Sequence, residues 1–274
     1  MLIRQNQVFP TYRNECSYIS EKYEYIKSLF DDNYVNDLCA IRGYVGEHQR
    51  KLIQEMQLGS CSISPLELES VFGLQEGKEL GFITQHGNFL LDNRFIIPVY
   101  DIGGNIVSLI GYFNDYKKYI TLPTNFFSKE CMFFNFRQAY DLSWREYGGF
   151  VILVEGIFDC LSLRAIGLPA IATMGATVSQ IKCELLKFFS KVLAIPDDDA
   201  TGHKALNRNS PQGWKVPSTT TFLKFRGGMV DFGNGNKLKC KDMDNFVSWF
   251  EADDVRDVLL SFKDSKEDFE EFVL

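Results

Sequence analysis

The sequence has few histidines and no closely spaced pair of cysteines. Its seven cysteines are scattered, none of them forms a Cys-x-x-Cys pair, and there are only three histidines. This pattern excludes a zinc module, because such modules draw their Cys and His ligands from closely spaced pairs. Scattered cysteines are typical of free thiols in a reducing compartment, so we expect a cytoplasmic protein.

The sequence also lacks long hydrophobic runs and an excess of positive charge. No apolar run reaches the roughly 18 residues needed to cross a membrane, and the first residues, MLIRQN, lack the apolar segment of a signal peptide. The formal net charge of −7 argues against a general nucleic-acid-binding protein. Residues 251–274 contain nine acids and three bases and therefore hold most of that charge.

Two kinds of hydrophobic pattern divide the chain. Residues 17–59 have a mostly helical pattern, and residues 82–120 contain strand-like runs, two of them joined by the turn Asp101–Asn105, which predicts an antiparallel hairpin. From Phe150 onward strands and helices alternate, as in a parallel α/β sheet. We therefore predict an α/β protein with an α+β lobe over 1–149, a parallel α/β sheet over 150–250 and an acidic helical tail over 251–274.

Carboxylates follow the runs that are predicted to be buried strands. Glu155 follows one such run, and Asp197 and Asp199 follow another. Because parallel strands end at one edge of a sheet, we expect these acids to converge there, with Gly156 leaving room for a substrate. Clustered carboxylates repel one another unless a cation neutralises them, and oxygen ligands suit Mg²⁺ or Mn²⁺. Taken singly, each motif is equally compatible with a solvated polar loop.

Further acids recur at related spacing. Asp159 lies one helical turn after Glu155 and can face the same way, and Asp242 and Asp244 form a second Asp-x-Asp pair. Considered alone, Asp159 also fits a helix N-cap, and the later pair fits a helix N-terminus, where the dipole favours negative charge.

Several short motifs occur in a characteristic order. In the C-terminal half they are Val154-Glu155-Gly156-Ile157-Phe158-Asp159, Met174-Gly175-Ala176-Thr177, Asp197-Asp198-Asp199-Ala200-Thr201-Gly202 and Lys241-Asp242-Met243-Asp244. In the N-terminal half they are Ile41-Arg42-Gly43-Tyr44, Leu58-Gly59, Asp92–Asp101, Lys118-Tyr119-Ile120-Thr121 and Phe127-Ser128-Lys129. Together, over about residues 38–250, they resemble the catalytic core of bacterial DnaG-type DNA primases, whose C-terminal part is a TOPRIM domain.

The resemblance implies a nucleotidyltransferase, a DNA-dependent RNA polymerase that uses NTPs to make short RNA primers on a single-stranded DNA template. It implies two or more bound Mg²⁺ (or Mn²⁺) ions. By matched position it assigns catalysis to Glu155, Asp197 and Asp199, and metal binding to Glu155, Asp159, Asp197, Asp199, Asp242 and Asp244. It assigns contacts with nucleic acid and NTP to Arg94, Lys118 and Lys129.

The sequence departs from the family pattern at several points. The N-terminal zinc module and the helicase-binding C-terminal domain have no counterpart, so we expect a replicative helicase or a separate recognition protein to act in trans. Residues Gly111–Asn114 stand where the family carries an arginine, and Thr121 replaces an asparagine. A primase without these two modules would fit an origin in a phage, plasmid or other mobile element.

Two other functions stay open on the sequence. A TOPRIM metal-dependent nuclease would share Glu155 and the Asp197/Asp199 pair but would have no use for Arg94 and Lys118. A catalytically inactive TOPRIM protein that binds DNA would be expected to lack one of the six acids, and all six are present.

Overall fold

The computed structural model describes residues 5–31, 36, 50, 53–54, 56–113, 118–123, 127–206, 213–231 and 237–273. The chain divides into two compact units. The first comprises Met1–Val45 and Ile53–Ser128, and the second comprises Gly46–Leu52 and Lys129–Leu274. No helix within the described ranges is long and apolar enough to span a membrane.

The first unit combines helices with a small antiparallel sheet. Its described helices are α1 (Gln5–Ser28), α2 (Pro65–Phe72) and α3 (Leu74–Glu79), and its strands, in sheet order, are β1 (Phe95–Tyr100), β2 (Ile106–Phe113) and β3 (Lys118–Thr121). Helix α1 buries Ile19, Tyr23 and Ile26, whose spacing keeps them on one face. That face joins a core rich in aromatic side chains, including Phe72 and Phe82.

The hairpin predicted in this unit is confirmed. Strands β1 and β2 pair in antiparallel register, and Oδ1 of Asp101 accepts the N–H groups of Gly103 and Asn105, each at 2.8 Å, which closes the turn. The helical pattern predicted from residue 17 onward is confirmed as far as Ser28. The motif Ile41–Tyr44 lies outside the described residues.

The second unit is built on a parallel sheet flanked by helices. Its elements are α4 (Phe136–Glu146), β4 (Phe150–Val154), α5 (Ile157–Ala165), β5 (Ala170–Ala172), α6 (Gln180–Leu186), β6 (Lys191–Ile195), α7 (Ala200–Ala205), β7 (Thr220–Arg226), β8 (Met229–Asp231), β9 (Lys237–Lys239), α8 (Met243–Trp249), α9 (Ala252–Ser261) and β10 (Phe269–Val273). The main sheet has the order β10-β7-β6-β4-β5, and β8 and β9 form a separate antiparallel pair. All neighbouring strands of the main sheet are parallel, as predicted from the alternating pattern.

The register of the central strands brings their carboxyl ends to one level. Val154 at the end of β4 pairs with Ala172 at the end of β5 and with Ile195 at the end of β6. The side chains of β4 are buried throughout, because helices cover both faces of a parallel sheet. The loops that begin at Glu155 and Pro196 therefore leave the same edge of the sheet.

The division between the two units differs from the predicted one at residue 149. It falls between Ser128 and Lys129, because α4 packs on β4 and β5 of the parallel sheet. Phe136 and Ala139 of this helix are buried in the core of the second unit. The Gly148–Gly149 pair, which precedes the first parallel strand, is a turn between α4 and β4.

The acidic tail predicted to be helical is helical only in part. After α9 the chain continues into β10, which pairs in parallel with β7 at the edge of the sheet. Phe269 stacks on Phe222 and Phe272 stacks on Phe225, each across the strand pair. The aromatic residues of this segment therefore favour a strand over a solvated helix, and its acids lie on an edge strand.

Candidate active site

Glu155 follows β4 directly, at the edge where the parallel strands end. It is partly buried, and its Oε1 atom lies inside the protein with no hydrogen-bond partner among the described residues. Burial raises the pKa of this carboxyl to about 7; the backbone N–H of Asp197 lowers it in part, and the charge of Asp199 raises it. The negative charge of Glu155 is therefore poorly compensated by hydrogen-bond donors and positive charges among the described residues.

Gly156 is required by the packing of a neighbouring acid. We expected this glycine to leave room for a substrate, but a Cβ atom at this position would collide with Oδ2 of Asp159. The absence of a side chain here makes room for Asp159, and the approach of a substrate at Gly156 stays a prediction.

The loop after β6 places Asp197 and Asp199 close enough to Glu155 to interact with it electrostatically. Asp199 is the N-cap of α7, and its Oδ1 accepts the N–H groups of Thr201 at 2.7 Å and Gly202 at 2.9 Å. A Cβ atom at Gly202 would overlap the backbone of Asp197, so the loop and helix can pack this closely only around glycine.

The acids on α5 and at the start of α8 are joined by hydrogen bonds. Asp159 and Asp244 are both buried, and the backbone N–H of Asp244 donates to Oδ1 of Asp159 at 2.8 Å. The hydroxyl of Ser162 donates to Oδ1 of Asp244 at 2.6 Å. Asp242 caps α8 by accepting the N–H of Asn245 at 2.8 Å. No sequence pattern pointed to the role of Ser162.

Mutual repulsion links these carboxylates electrostatically. Burial raises the pKa of Asp197 to about 8, and the charges of Glu155, Asp242 and Asp199 contribute to the rise. Burial also raises the pKa of Asp159 well above its usual range, with the charge of Asp197 acting in the same direction. We call the linked set the acid cluster; it consists of Glu155, Asp159, Asp197, Asp199, Asp242 and Asp244.

The donor chemistry of the acid cluster fits a hard divalent cation such as Mg²⁺ or Mn²⁺. A cation would supply the partner that Oε1 of Glu155 lacks and would relieve the repulsion that raises these pKa values. Within the part of the chain that the structure describes, no three His, Cys, Asp or Glu side chains are arranged so that they could hold one ion together. Several of these oxygens accept backbone N–H groups instead, so metal binding would require side-chain rotation.

The three basic residues assigned to nucleic acid and NTP lie in different settings. Arg94 precedes β1, and its guanidinium lies over the ring of Phe113, 5.5 Å from the centroid. Lys118 is the first residue of β3, where its backbone pairs with Phe113; its side chain is outside the part of the chain that the structure describes. Lys129 is exposed and belongs to the second unit. Arg94 and Lys118 therefore belong to the first unit and Lys129 to the second.

Two lysines beside the acid cluster were missed by the sequence reasoning. Lys239 pairs with Asp198, with Nζ 2.7 Å from Oδ2, and Lys241 lies 3.8 Å from Oδ2 of Asp242. Burial raises the pKa of Asp198, but hydrogen bonds from Lys239 and His203 outweigh it and lower that pKa overall. The sequence signal that could have found them is the alternation of lysines with apolar residues in Lys-Leu-Lys-Cys-Lys over 237–241, which predicts an extended segment with its lysines on one side.

Comparison with known proteins agrees with this architecture. The Toprim-like family matches residues 152–226, which run from β4 to the end of β7. The DNA primase of Thermotoga maritima is 32% identical over 190 residues, covering 66% of this chain and 33% of that protein. The DNA primase of Clostridium acetobutylicum is 31% identical over 193 residues, covering 66% and 30%. The chain thus spans about a third of the length of these relatives.

Solved structures extend the similarity to both units. The zinc-binding and RNA polymerase domains of the Aquifex aeolicus primase superpose with a TM-score of 0.67 at 23% identity, covering 90% of this chain and 61% of that one. The RNA polymerase domain of Mycobacterium tuberculosis DnaG gives a TM-score of 0.68 at 17% identity, covering 90% and 83%. A DnaG catalytic domain bound to single-stranded DNA gives 0.65 at 16% identity, covering 91% and 80%. The chain therefore contains a Toprim-like domain and has the fold of the DnaG primase catalytic core.

Proposed function

We propose that this chain is the catalytic core of a DNA primase that joins ribonucleotides into short primers on single-stranded DNA. The observation that carries the proposal is the acid cluster at the carboxyl edge of the Toprim-like sheet, with a buried oxygen of Glu155 that lacks a partner. Such a cluster suits phosphoryl transfer, where cations gather charged groups that would otherwise repel.

The proposed roles follow from where each acid is held. Glu155, Asp197 and Asp199 lie on loops that leave the same sheet edge, and they would bind the ions nearest the reacting phosphate. Asp159, Asp242 and Asp244 would complete the ligand set from α5 and α8. Bound Mg²⁺ or Mn²⁺ would stabilise negative charge on the transferring phosphoryl group and activate the attacking 3′ hydroxyl.

The protein's own contribution is to bring the backbone positions of these carboxylates together, so that side-chain rotation completes the site when the ligands arrive. Strand ends are rigid, so the loops after β4 and β6 fix the spacing of Glu155 and Asp197. The hydrogen bond from Ser162 orients Asp244, and helix capping orients Asp242. We propose that Arg94, Lys118 and Lys129 contact the phosphates of template and NTP, a role supported only by their match to the primase motifs.

The test is to incubate the chain with single-stranded DNA, the four NTPs and Mg²⁺, and to resolve the products on a denaturing gel. Short RNA products that disappear in the Glu155→Gln variant are expected. Shortened DNA would indicate a nuclease, and a mobility shift without any new product would indicate a DNA-binding protein without catalysis. The fold match over about nine-tenths of the chain, which includes the antiparallel lobe, favours the primase over the nuclease.

We further propose that the chain primes weakly alone and is assisted by another replication protein. The net charge is −7, and the acids of β10 add negative charge to one sheet edge. Phosphate contacts dominate nonspecific affinity, so such a chain should hold single-stranded DNA only weakly, on the order of 10⁻⁴–10⁻⁶ M. A helicase or a recognition protein acting in trans would raise the local template concentration.

Primer yield on naked single-stranded DNA, with and without the replication proteins of the source, measures this dependence. Efficient, sequence-selective priming by the chain alone would contradict it. A mobile-element origin and a cytoplasmic location stay predictions from the sequence.

A further inference from the structure

The β8–β9 hairpin lies beside the acid cluster and is firmly fixed at its base. Cys240, directly after β9, is fully buried, and its backbone N–H donates to the carbonyl oxygen of Gly228 at 3.1 Å. A Cβ atom at Gly227 would overlap the carbonyl of Cys240, so only glycine fits where these two backbone segments pass. The residues on either side of Cys240 are therefore held in a defined position.

Two lysines flank this buried cysteine and face the opposite way. Because successive side chains of an extended segment alternate, Lys239 and Lys241 point away from the side on which Cys240 is buried. Nζ of Lys239 lies 2.7 Å from Oδ2 of Asp198. The backbone carbonyl of Lys241 accepts the N–H of Asp198 at 2.9 Å, and its side-chain charge lowers the pKa of Asp197. Both ammonium groups thus lie at the rim of the acid cluster.

Stabilisation of the fold does not account for these lysines. Both side chains are about half exposed, at 51% for Lys239 and 60% for Lys241, and exposed ion pairs contribute little, about 0–1 kcal/mol. Asp198 has a second partner in Nε2 of His203 at 3.0 Å. The distance of 3.8 Å from Lys241 to Asp242 is long for an ion pair. Both ammonium groups can therefore accept a further anionic partner.

We propose that Lys239 and Lys241 bind phosphate groups of the polyanion handled at the acid cluster, and that Asp198 holds Lys239 in reach before that ligand arrives. The proposal rests on the proposed function, because it takes the acid cluster as a site for phosphate chemistry. Ammonium groups bind phosphate oxygens as point charges. Met229 and Leu238 of the same hairpin are exposed, at 61% and 53%, and offer apolar contact to a base or a ribose. The phosphates come either from the NTP or from a nucleic-acid strand.

The variants for the test are Lys239→Gln, Lys241→Gln and the double variant. Lys239→Arg is the charge-preserving control. Lys187→Gln is the matched surface control, because Lys187 is an exposed lysine that, like Lys239, pairs with an acid, with Nζ 2.7 Å from Oε1 of Glu184. Thermal melting of each variant verifies folding.

Two measurements distinguish the source of the phosphate. Fluorescence anisotropy with a labelled oligothymidylate in Mg²⁺, over a series of salt concentrations, reports strand contacts; the KM for GTP in primer synthesis reports nucleotide contacts. If the phosphates belong to the strand, each Gln variant should weaken DNA binding by three- to tenfold and reduce the log–log salt slope by about 0.7 per contact. If they belong to the NTP, the KM for GTP should rise by about the same factor, because one charge contact is lost in the same way. The log–log salt slope of DNA binding should then stay unchanged.

The Lys239→Arg and Lys187→Gln variants should match the wild type in both assays. Gln variants with DNA affinity and KM within about twofold of an active wild-type chain, a loss below 0.5 kcal/mol, would overturn this inference and leave the proposed function standing. A wild-type chain that neither binds the oligonucleotide nor polymerises NTPs would overturn both.

Discussion

Replacing Glu155 with glutamine should stabilise the metal-free protein at neutral and alkaline pH. Burial and the charge of Asp199 raise the pKa of Glu155 from 4.5 to about 7. At about 1.4 kcal/mol per pKa unit, ionising Glu155 in the folded state would cost roughly 3 kcal/mol. Because the side chain is only partly buried, solvent screening reduces the expected gain to about 1–2 kcal/mol. Glutamine keeps an oxygen that can accept the N–H of Asp197.

The pH dependence of this gain has a definite sign. The folded-state pKa is raised, so the wild type has its full stability below about pH 4.5, where Glu155 is protonated in both states, and loses stability as the pH rises through about 7. The difference between Glu155→Gln and the wild type should therefore be near zero at pH 4.5 and reach its maximum above pH 7 by the same linkage.

Urea unfolding in EDTA at about pH 5 and pH 8 measures this difference. Glu184→Gln is the control, because Glu184 is exposed and its pKa is lowered by the hydrogen bond from Lys187, so its removal should bring no gain at alkaline pH. A Glu155→Gln protein that is less stable than the wild type at pH 8, or a gain of equal size at both pH values, would refute the electrostatic account. Either result would make Glu155 a structural residue.

Three further predictions concern the metal, the loop after β6 and the basic residues. Mg²⁺ at about 100 times its dissociation constant should stabilise the wild type by about 2.7 kcal/mol, whereas Asp197→Asn should show little of this shift in calorimetry; an equal shift would place the ion elsewhere. Gly202→Ala should cost about 1–3 kcal/mol of stability, because its Cβ overlaps the backbone of Asp197, and a neutral result in urea unfolding would contradict the close packing. Arg94→Ala should lower the log–log salt slope of single-stranded DNA binding by about 0.7, and an unchanged slope would remove Arg94 from the proposed interface.

The sequence predicted the parallel sheet well because its strands are short, apolar and buried on both faces. β4 and β6 contain almost only apolar residues, and they are followed by Glu155 and by Pro196-Asp197. The ends of both strands could therefore be predicted from the sequence. The antiparallel hairpin of the first unit was equally clear from Asp101, which closes its turn by accepting two backbone N–H groups.

The errors arose where tertiary packing decides between equally acceptable local patterns. The boundary at residue 149 was placed just before the first predicted parallel strand, but the position of α4 depends on Phe136 packing against the sheet, which no local pattern shows. The segment Phe269–Val273 is acidic, yet its aromatic residues stack on Phe222 and Phe225, which lie far away in the sequence. Lys239 and Lys241 were overlooked because their position depends on the burial of Cys240.

The acid cluster and the two hairpin lysines should respond to mutation in opposite ways. The acids are held close together by strand ends and helix caps, so removing one, as in Glu155→Gln, relieves repulsion and stabilises the fold while it removes a metal ligand. Lys241 offsets part of that repulsion and Lys239 pairs with Asp198, so removing either lysine should lower stability slightly while it weakens phosphate binding. A set of residues that merely stabilised the fold would lose stability and function together. Opposite effects on stability, combined with loss of function in both sets, are therefore what a site built for cations and phosphates requires.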